Sequence, residues 1–103
     1  MNLIRRPIFL SDIEECADYL FEEAGEEVAR RWKASLAETL LLISQHPEIG
    51  RTRADLPNPN VRTFHLREFP RYLVFYRIEA EQIELLRVRH GMMHLPGLFE
   101  GKG

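Results

Sequence analysis

The sequence lacks the residues and motifs of several common functional classes. It contains a single cysteine, Cys16, so it can form neither an internal disulfide nor a cysteine-based metal cluster. Phosphate-binding glycine loops, HExxH motifs and nucleophile elbows are absent. The four histidines do not have the spacing of metal ligands: His46, His65, His90 and His94. We therefore expect no metal and no cofactor, and we interpret the cysteine as a small buried residue on a helix rather than a reactive thiol.

Long apolar segments are also missing. No run approaches the roughly 20 apolar residues that span a bilayer, and the first seven residues do not resemble a signal peptide. We therefore expect a cytoplasmic protein. The 103 residues, 45% of them hydrophobic and 29% charged, suit one globular domain over residues 1–103, in which residues 91–103 form a C-terminal tail.

The charge is divided unevenly along the chain. The net charge is −2, but residues 1–50 carry five basic and ten acidic side chains (−5), whereas residues 51–103 carry nine and six (+3). A protein that grips nucleic acid through phosphates is usually basic overall. The asymmetry instead predicts a basic face for an acidic partner, although solvated arginines would give the same count.

Two helices are predicted in the first half. The capping box Ser11-Asp12-Ile13-Glu14 predicts that a helix begins at Ser11, and Gly25 is a natural stop for it. On this helix Phe21 belongs to the predicted apolar stripe and Asp12 to the polar side. A second helix follows and ends before Pro47, with an apolar face that Leu41 and Leu42 widen. The very short turn between them predicts an antiparallel hairpin.

Three runs in the second half predict strands. Residues 61–66, 71–78 and 82–90 alternate in character or are rich in aromatic and β-branched side chains. They predict an antiparallel meander with one buried face, covered by the helical hairpin. Residues 2–9 predict a short edge strand because they include Pro7. The predicted fold class is therefore α+β, in the order β-α-α-β-β-β.

Two segments stay ambiguous at this level. The connection over residues 47–60 is long for a small domain, which is typical either of a functional loop or of a packed crossover. The tail after His90 is apolar and rich in methionine but is broken by glycine and proline. It either packs on the domain or offers adaptable apolar surface to a partner.

Arginine and histidine on the meander are the remaining candidates for chemistry. RNA cleavage would need a base, an acid and cations on the phosphate, which His65 or His90 and nearby arginines could supply. A lone histidine at a strand end is more often structural, so both interpretations stay open. If the third strand is regular, Arg87 and Arg89 project to the same side as Ile83 and Leu85.

An ordered set of segments resembles the ParE branch of the ParE/RelE toxin superfamily. The set is Pro47-Glu48-Ile49-Gly50-Arg51 after a long helix, Val61-Arg62-Thr63-Phe64, Tyr72-Leu73-Val74-Phe75-Tyr76-Arg77-Ile78 and Leu86-Arg87-Val88-Arg89-His90-Gly91. The resemblance implies two helices packed on a small antiparallel sheet. It also implies the toxin of a type II toxin–antitoxin system, which forms a hetero-oligomer with a small ParD-like antitoxin.

The targets differ within this superfamily. Proteins similar to ParE poison DNA gyrase by binding it, whereas those similar to RelE cleave messenger RNA in the ribosome. The net charge of −2 and the acidic hairpin favour the first. We therefore predict a gyrase poison that is not an enzyme and does not itself bind nucleic acid. The alternative is a ribosome-dependent mRNA endoribonuclease that uses Arg71 and His90, and a third possibility is a toxin-like fold without toxicity.

The resemblance and the charge division together suggest two sets of contact residues. For an acidic antitoxin segment, with apolar anchors in a groove beside the helices, the predicted contacts are Arg51, Arg53, Arg62, Arg71, Arg87 and Arg89. For the target, the predicted contacts lie in the tail: Met92, Met93, Leu95, Leu98 and Phe99.

Overall fold

A helical hairpin packs on a five-stranded sheet in the computed structural model, which describes residues 1–91. The elements are β1 (Asn2–Arg5), α1 (Pro7–Ala24), α2 (Glu26–Gln45), β2 (Arg51–Thr52), β3 (Arg62–His65), β4 (Tyr72–Glu79) and β5 (Gln82–His90). The strand order is β1-β5-β4-β3-β2, with β1 parallel to β5 and the other pairs antiparallel. This confirms the predicted α+β class. The two-residue strand β2 lies inside the predicted connection.

Helix α1 begins earlier than the sequence pattern predicts. Its first residue is Pro7, and Arg6 is an extended N-cap without a side-chain capping bond. Proline suits this position because its fixed φ is already helical and the first helical amides have no partner within the helix. The predicted edge strand over residues 2–9 is therefore confirmed only over Asn2–Arg5. The predicted cap at Ser11 is wrong, and Phe9 lies fully buried in the helix. Gly25 ends α1 as predicted, with φ of 97°.

The main core lies between the hairpin and one face of the sheet. Fully buried Phe9, Trp32 and Ile43 from the helices meet Val74 and Tyr76 from β4. The indole ring of Trp32 packs edge-on against Tyr72, with centroids 5.5 Å apart. Large aromatic side chains dominate the apolar area that such a core removes from water. This layer holds α1 against β5 and leaves the outer surfaces of both helices open.

The second face of the sheet is also partly covered, which contradicts the prediction of one buried face. Leu56 in the connection and Val61 directly after it pack against Phe75 and Leu86. Phe75 lies between Val74 and Tyr76 on β4, so strand alternation turns it to the opposite side. The connection over residues 47–60 is therefore a packed crossover for at least part of its length.

Strand β5 is not regular. Tyr76 pairs with Leu85 and Phe75 pairs with Arg87, so Leu86 is an extra residue in a bulge. After the bulge Val88 returns to the core cluster that contains Leu85, and the arginines on either side of it alternate with it. The prediction that these arginines project with Ile83 and Leu85 is therefore wrong.

Candidate protein-binding site

The arginines on or next to β2 and β3 differ in whether they already have partners within the chain. Arg51 is exposed on the edge strand, opposite Thr63. Arg62 donates from Nη1 to the carbonyl of Gly50 at 2.8 Å, and Arg53 holds Asp55 with bonds of 3.0 and 2.8 Å. Two of the three predicted antitoxin contacts here therefore already have partners within the chain.

Tyr76 fixes the turn that leads into β2. Its hydroxyl donates to the carbonyl of Pro47 at 2.7 Å and accepts from the amide of Gly50 at 2.8 Å. A Cβ atom at Gly50 would lie 2.6 Å from that hydroxyl oxygen, so the turn requires glycine. Burial raises the pKa of the Tyr76 phenol above its ordinary value, which keeps the donor protonated at neutral pH. The turn in this way positions Arg51.

The two arginines of β5 converge on Asp12 of helix α1. The carboxylate accepts from Arg87 at 2.7 and 3.0 Å, from Arg89 at 3.1 Å and from the amide of Val88 at 3.1 Å. Arg89 also donates to Glu15 at 2.9 Å. Asp12 is only 2% exposed, although the sequence pattern places it on the polar side of the helix.

The open edge of β5 explains why this carboxylate is buried. Strand β1 pairs with β5 only as far as Leu85, and within residues 1–91 the edge beyond that residue meets α1 rather than another strand. Buried charges need paired charges and hydrogen bonds to offset their lost hydration, and Asp12 receives both. No local pattern in the sequence predicts this contact, because Asp12 lies near the start of α1 and the two arginines follow more than 70 residues later.

Arg71 and His90 lie at the same end of the sheet. Arg71 is exposed, and its carbonyl accepts from the amide of Gly91 at 2.5 Å. The ring of His90 packs edge-on against Tyr72, with centroids 5.1 Å apart. The other candidate histidine, His65, has Nδ1 3.1 Å from the carbonyl of Leu66 and stacks on Phe64. The structure brings the first pair together and gives each histidine structural contacts.

An apolar groove lies between β1 and the two helices. Its cavity volume is about 400 Å³. Leu41 at its margin is 58% exposed, although the helical pattern assigned it to the buried stripe. The cations Arg5 and Lys33 also line the groove. The remaining lining residues are Leu3, Ile13, Leu36, Ala37, Leu40 and Ser44. The three consecutive leucines at residues 40–42 indicate in the sequence that one of them is exposed. A helix turns by 100° per residue, so one face cannot bury all three.

The remaining predictions concern the C-terminal tail, metal binding and membrane-spanning helices. The tail residues Met92, Met93, Leu95, Leu98 and Phe99 lie outside the described part of the chain. Within residues 1–91, no three histidine, cysteine or acidic side chains are grouped to hold a metal ion. None of the helices in that range is both long and apolar enough to cross a membrane.

Comparison with known proteins agrees with this architecture. Residues 3–95 match the family described as ParE toxin of type II toxin-antitoxin system, parDE. Toxin ParE3 of Caulobacter vibrioides (strain ATCC 19089 / CIP 103742 / CB 15) is 30% identical over 94 residues, which are 91% of this chain and 90% of the relative. A chain of the chromosomal ParDE TA system from P. aeruginosa shares the fold, with a TM-score of 0.74 at 22% identity over 87% of this chain and 95% of that one. The chain therefore belongs to the ParE family of toxins of type II toxin–antitoxin systems.

Proposed function

We propose that this toxin is neutralised by a cognate ParD-like antitoxin that binds the groove between β1 and the helices. The observation that carries the proposal is an exposed apolar groove with cations in its lining. Leu41 offers apolar surface at the margin, and Arg5 and Lys33 can form ion pairs with carboxylates of the antitoxin. An acidic segment that places apolar anchors at intervals would match both features, as an amphipathic helix does when it docks in a groove.

The arginines then contribute unequally to this proposal. Arg51 and Arg71 are exposed and can meet acidic residues of the antitoxin beyond the groove. Arg53 and Arg62 would have to share or exchange their present partners. Arg87 and Arg89 are held by Asp12, so their replacement would disturb the fold as well as any interface. The groove, Arg51 and Arg71 are therefore the main contacts of the proposed interface.

A substitution in the groove tests the antitoxin site. We expect Leu41→Asp to weaken antitoxin binding at least about tenfold, because it places a carboxylate where an apolar anchor and acidic neighbours should sit. The matched control is Phe21→Asp, since Phe21 is a comparably exposed apolar residue on α1 outside the groove. Calorimetric titration with the antitoxin measures both variants. Equal affinity for the two would rule out the groove.

We propose further that the toxin acts by binding DNA gyrase in the cytoplasm rather than by cleaving a substrate. Membership of the ParE family supports this, and so do the arginine contacts. Arg87 and Arg89, which a nuclease could use to hold a phosphate, are directed to carboxylates. In this proposal DNA contact in the toxin–antitoxin complex belongs to the antitoxin, and purified gyrase should form a complex with the antitoxin-free toxin in surface plasmon resonance.

The ribonuclease alternative rests on one specific observation, the proximity of Arg71 and His90 at the end of the sheet. If these residues carry catalysis, replacing them with alanine and glutamine, respectively, abolishes growth arrest while the protein stays folded. If the toxin acts by binding gyrase, the double variant keeps at least part of its toxicity, because the other contact residues are unchanged. Induction of each variant without antitoxin, with thermal unfolding as the folding control, separates the two functions.

A further inference from the structure

A second cleft lies on the other side of helix α1, between that helix and the end of β5. Its volume is about 340 Å³. It is lined by Glu15, Cys16, Tyr19, Tyr72, Arg89 and His90. None of these residues lines the groove proposed for the antitoxin. We propose that this cleft is the surface that holds the target protein, and that it takes an aromatic anchor side chain carried on a basic segment.

The floor of the cleft is built from side chains that pack closely on one another. Tyr72 is buried and packs edge-on against both Trp32 and His90. The thiol of Cys16 lies 3.7 Å from the carbonyl of Val88, and burial raises its pKa to about 11, so it is an uncharged wall at neutral pH. The carboxylate of Asp12 holds the adjoining segment of β5 in place. Preformed pockets of this kind bind tightly because little conformational freedom is lost on association.

The chemistry of the walls selects the anchor. Tyr19 is 60% exposed, so its ring presents apolar area at the rim. An aromatic side chain placed between Tyr19 and Tyr72 would make offset or edge-on ring contacts, the geometry that aromatic pairs prefer. The charge of Arg89 is already met by Asp12 and Glu15. A volume near the lower limit for small-molecule sites is the size expected for one or two anchoring side chains.

The surrounding charge selects the segment that carries the anchor. Helix α1 contains no lysine, arginine or histidine. Glu22 and Glu23 follow Tyr19 by three and four residues, so both are its neighbours on the helix surface, and both are exposed. Basic residues on either side of the anchor would therefore be attracted here, whereas an acidic antitoxin segment would be repelled.

The cleft lies at the C-terminal end of strand β5. Strand β5 ends at His90 in the cleft wall, and the segment predicted to contact the target begins immediately after Gly91. Because the occupant is the target protein, this inference rests on the proposed binding mode of toxicity, but it does not depend on the target being gyrase.

Substitution of Tyr19 tests the cleft. We expect Tyr19→Ala to need at least about ten times more protein for growth arrest, and to bind the antitoxin within about twofold of the unchanged toxin. Tyr19→Phe should retain most of the toxicity because it keeps the ring. The control is Phe21→Ala, which removes an aromatic ring that is 52% exposed on the same helix but outside the cleft.

A charge variant gives an independent test. Glu22→Lys combined with Glu23→Lys should reduce toxicity, whereas Glu14→Lys, an exposed residue elsewhere on α1, should not. The cleft proposal fails if Tyr19→Ala remains fully toxic. It also fails if that variant loses antitoxin binding in parallel with toxicity. Thermal unfolding of each variant shows that the fold is retained, which is expected because these side chains are exposed.

Parallel assays with purified gyrase separate this proposal from the proposed function. If the unchanged toxin inhibits gyrase and Tyr19→Ala inhibits it equally, the cleft is wrong and the gyrase target stands. If the unchanged toxin leaves gyrase active while growth arrest still depends on Tyr19, the gyrase target is wrong and the cleft stands as the docking surface for another protein. Loss of gyrase inhibition in Tyr19→Ala but not in Phe21→Ala supports both.

Discussion

Removing the carboxylate of Asp12 should destabilise this toxin more than any other single change at a charged residue described above. The side chain is 2% exposed and accepts bonds from two guanidinium groups and one backbone amide. Asp12→Ala leaves these donors without their shared acceptor. Breaking a buried ion pair by removing one partner typically costs about 3–5 kcal/mol.

The contacts place the expected cost at the lower end of that range. The side chains of Arg87 and Arg89 are 15% and 14% exposed, so water can partly solvate them once the carboxylate is gone. Arg89 also keeps Glu15. We therefore expect a decrease of about 3 kcal/mol in the free energy of unfolding, which lowers the Tm by roughly 12–24 °C in a domain of this size.

Urea denaturation followed by circular dichroism measures this effect. Asp12→Asn keeps the volume but not the charge, so it should lose a substantial part of the same free energy. Glu15→Gln is the matched control, because Glu15 contacts Arg89 from a position that is 66% exposed and should contribute less than about 1 kcal/mol. If Asp12→Asn unfolds at the same urea concentration as the unchanged protein, charge compensation is not what stabilises the contact between α1 and β5.

Two further predictions follow from buried hydroxyl and thiol groups. Tyr76→Phe removes the hydrogen bonds to Pro47 and Gly50, so the buried Gly50 amide loses its partner. Urea denaturation should show a decrease of about 1–3 kcal/mol in the free energy of unfolding. A decrease below about 0.5 kcal/mol would contradict the role assigned to the Tyr76 hydroxyl in the turn. Burial raises the pKa of Cys16 from its ordinary value of 9.0 to about 11, so the contribution of Cys16 to stability is complete below pH 9 and disappears as pH rises through 11. Cys16→Ala should flatten the fall in Tm between pH 9 and 11 without abolishing it, because burial also raises the pKa values of Tyr72 and Tyr76; an unchanged slope would contradict the assignment.

The fold was predictable because its signals are local and repeated. Alternation in the last three strands, helical periodicity and the glycine stop at Gly25 each act over a few residues, and they agree with one another. The start of α1 was not predictable in this way, because Pro7 and the capping box at Ser11 are competing local signals. Packing of the helix on the sheet favours the start at Pro7, because it buries Phe9.

The candidate site was only partly predictable, for a physical reason. The composition indicates a basic second half, but it does not indicate which arginines already form ion pairs or hydrogen bonds within the chain. Asp12 and Arg87 are 75 residues apart, and they meet only because β1 is too short to cover the edge of β5. The groove and the cleft are likewise products of three elements each, so their lining residues have no common pattern in the sequence.

Supercoiling of a plasmid by purified gyrase with ATP tests the proposed function most directly. The reaction contains the folded, antitoxin-free toxin at a concentration stoichiometric with gyrase, and it ends with detergent and protease treatment to release trapped breaks. A toxin that acts on gyrase will inhibit supercoiling or produce linear DNA, and prior addition of the antitoxin will prevent both. Normal supercoiling without linear DNA would contradict the gyrase target and would make the double substitution of Arg71 and His90 the next experiment.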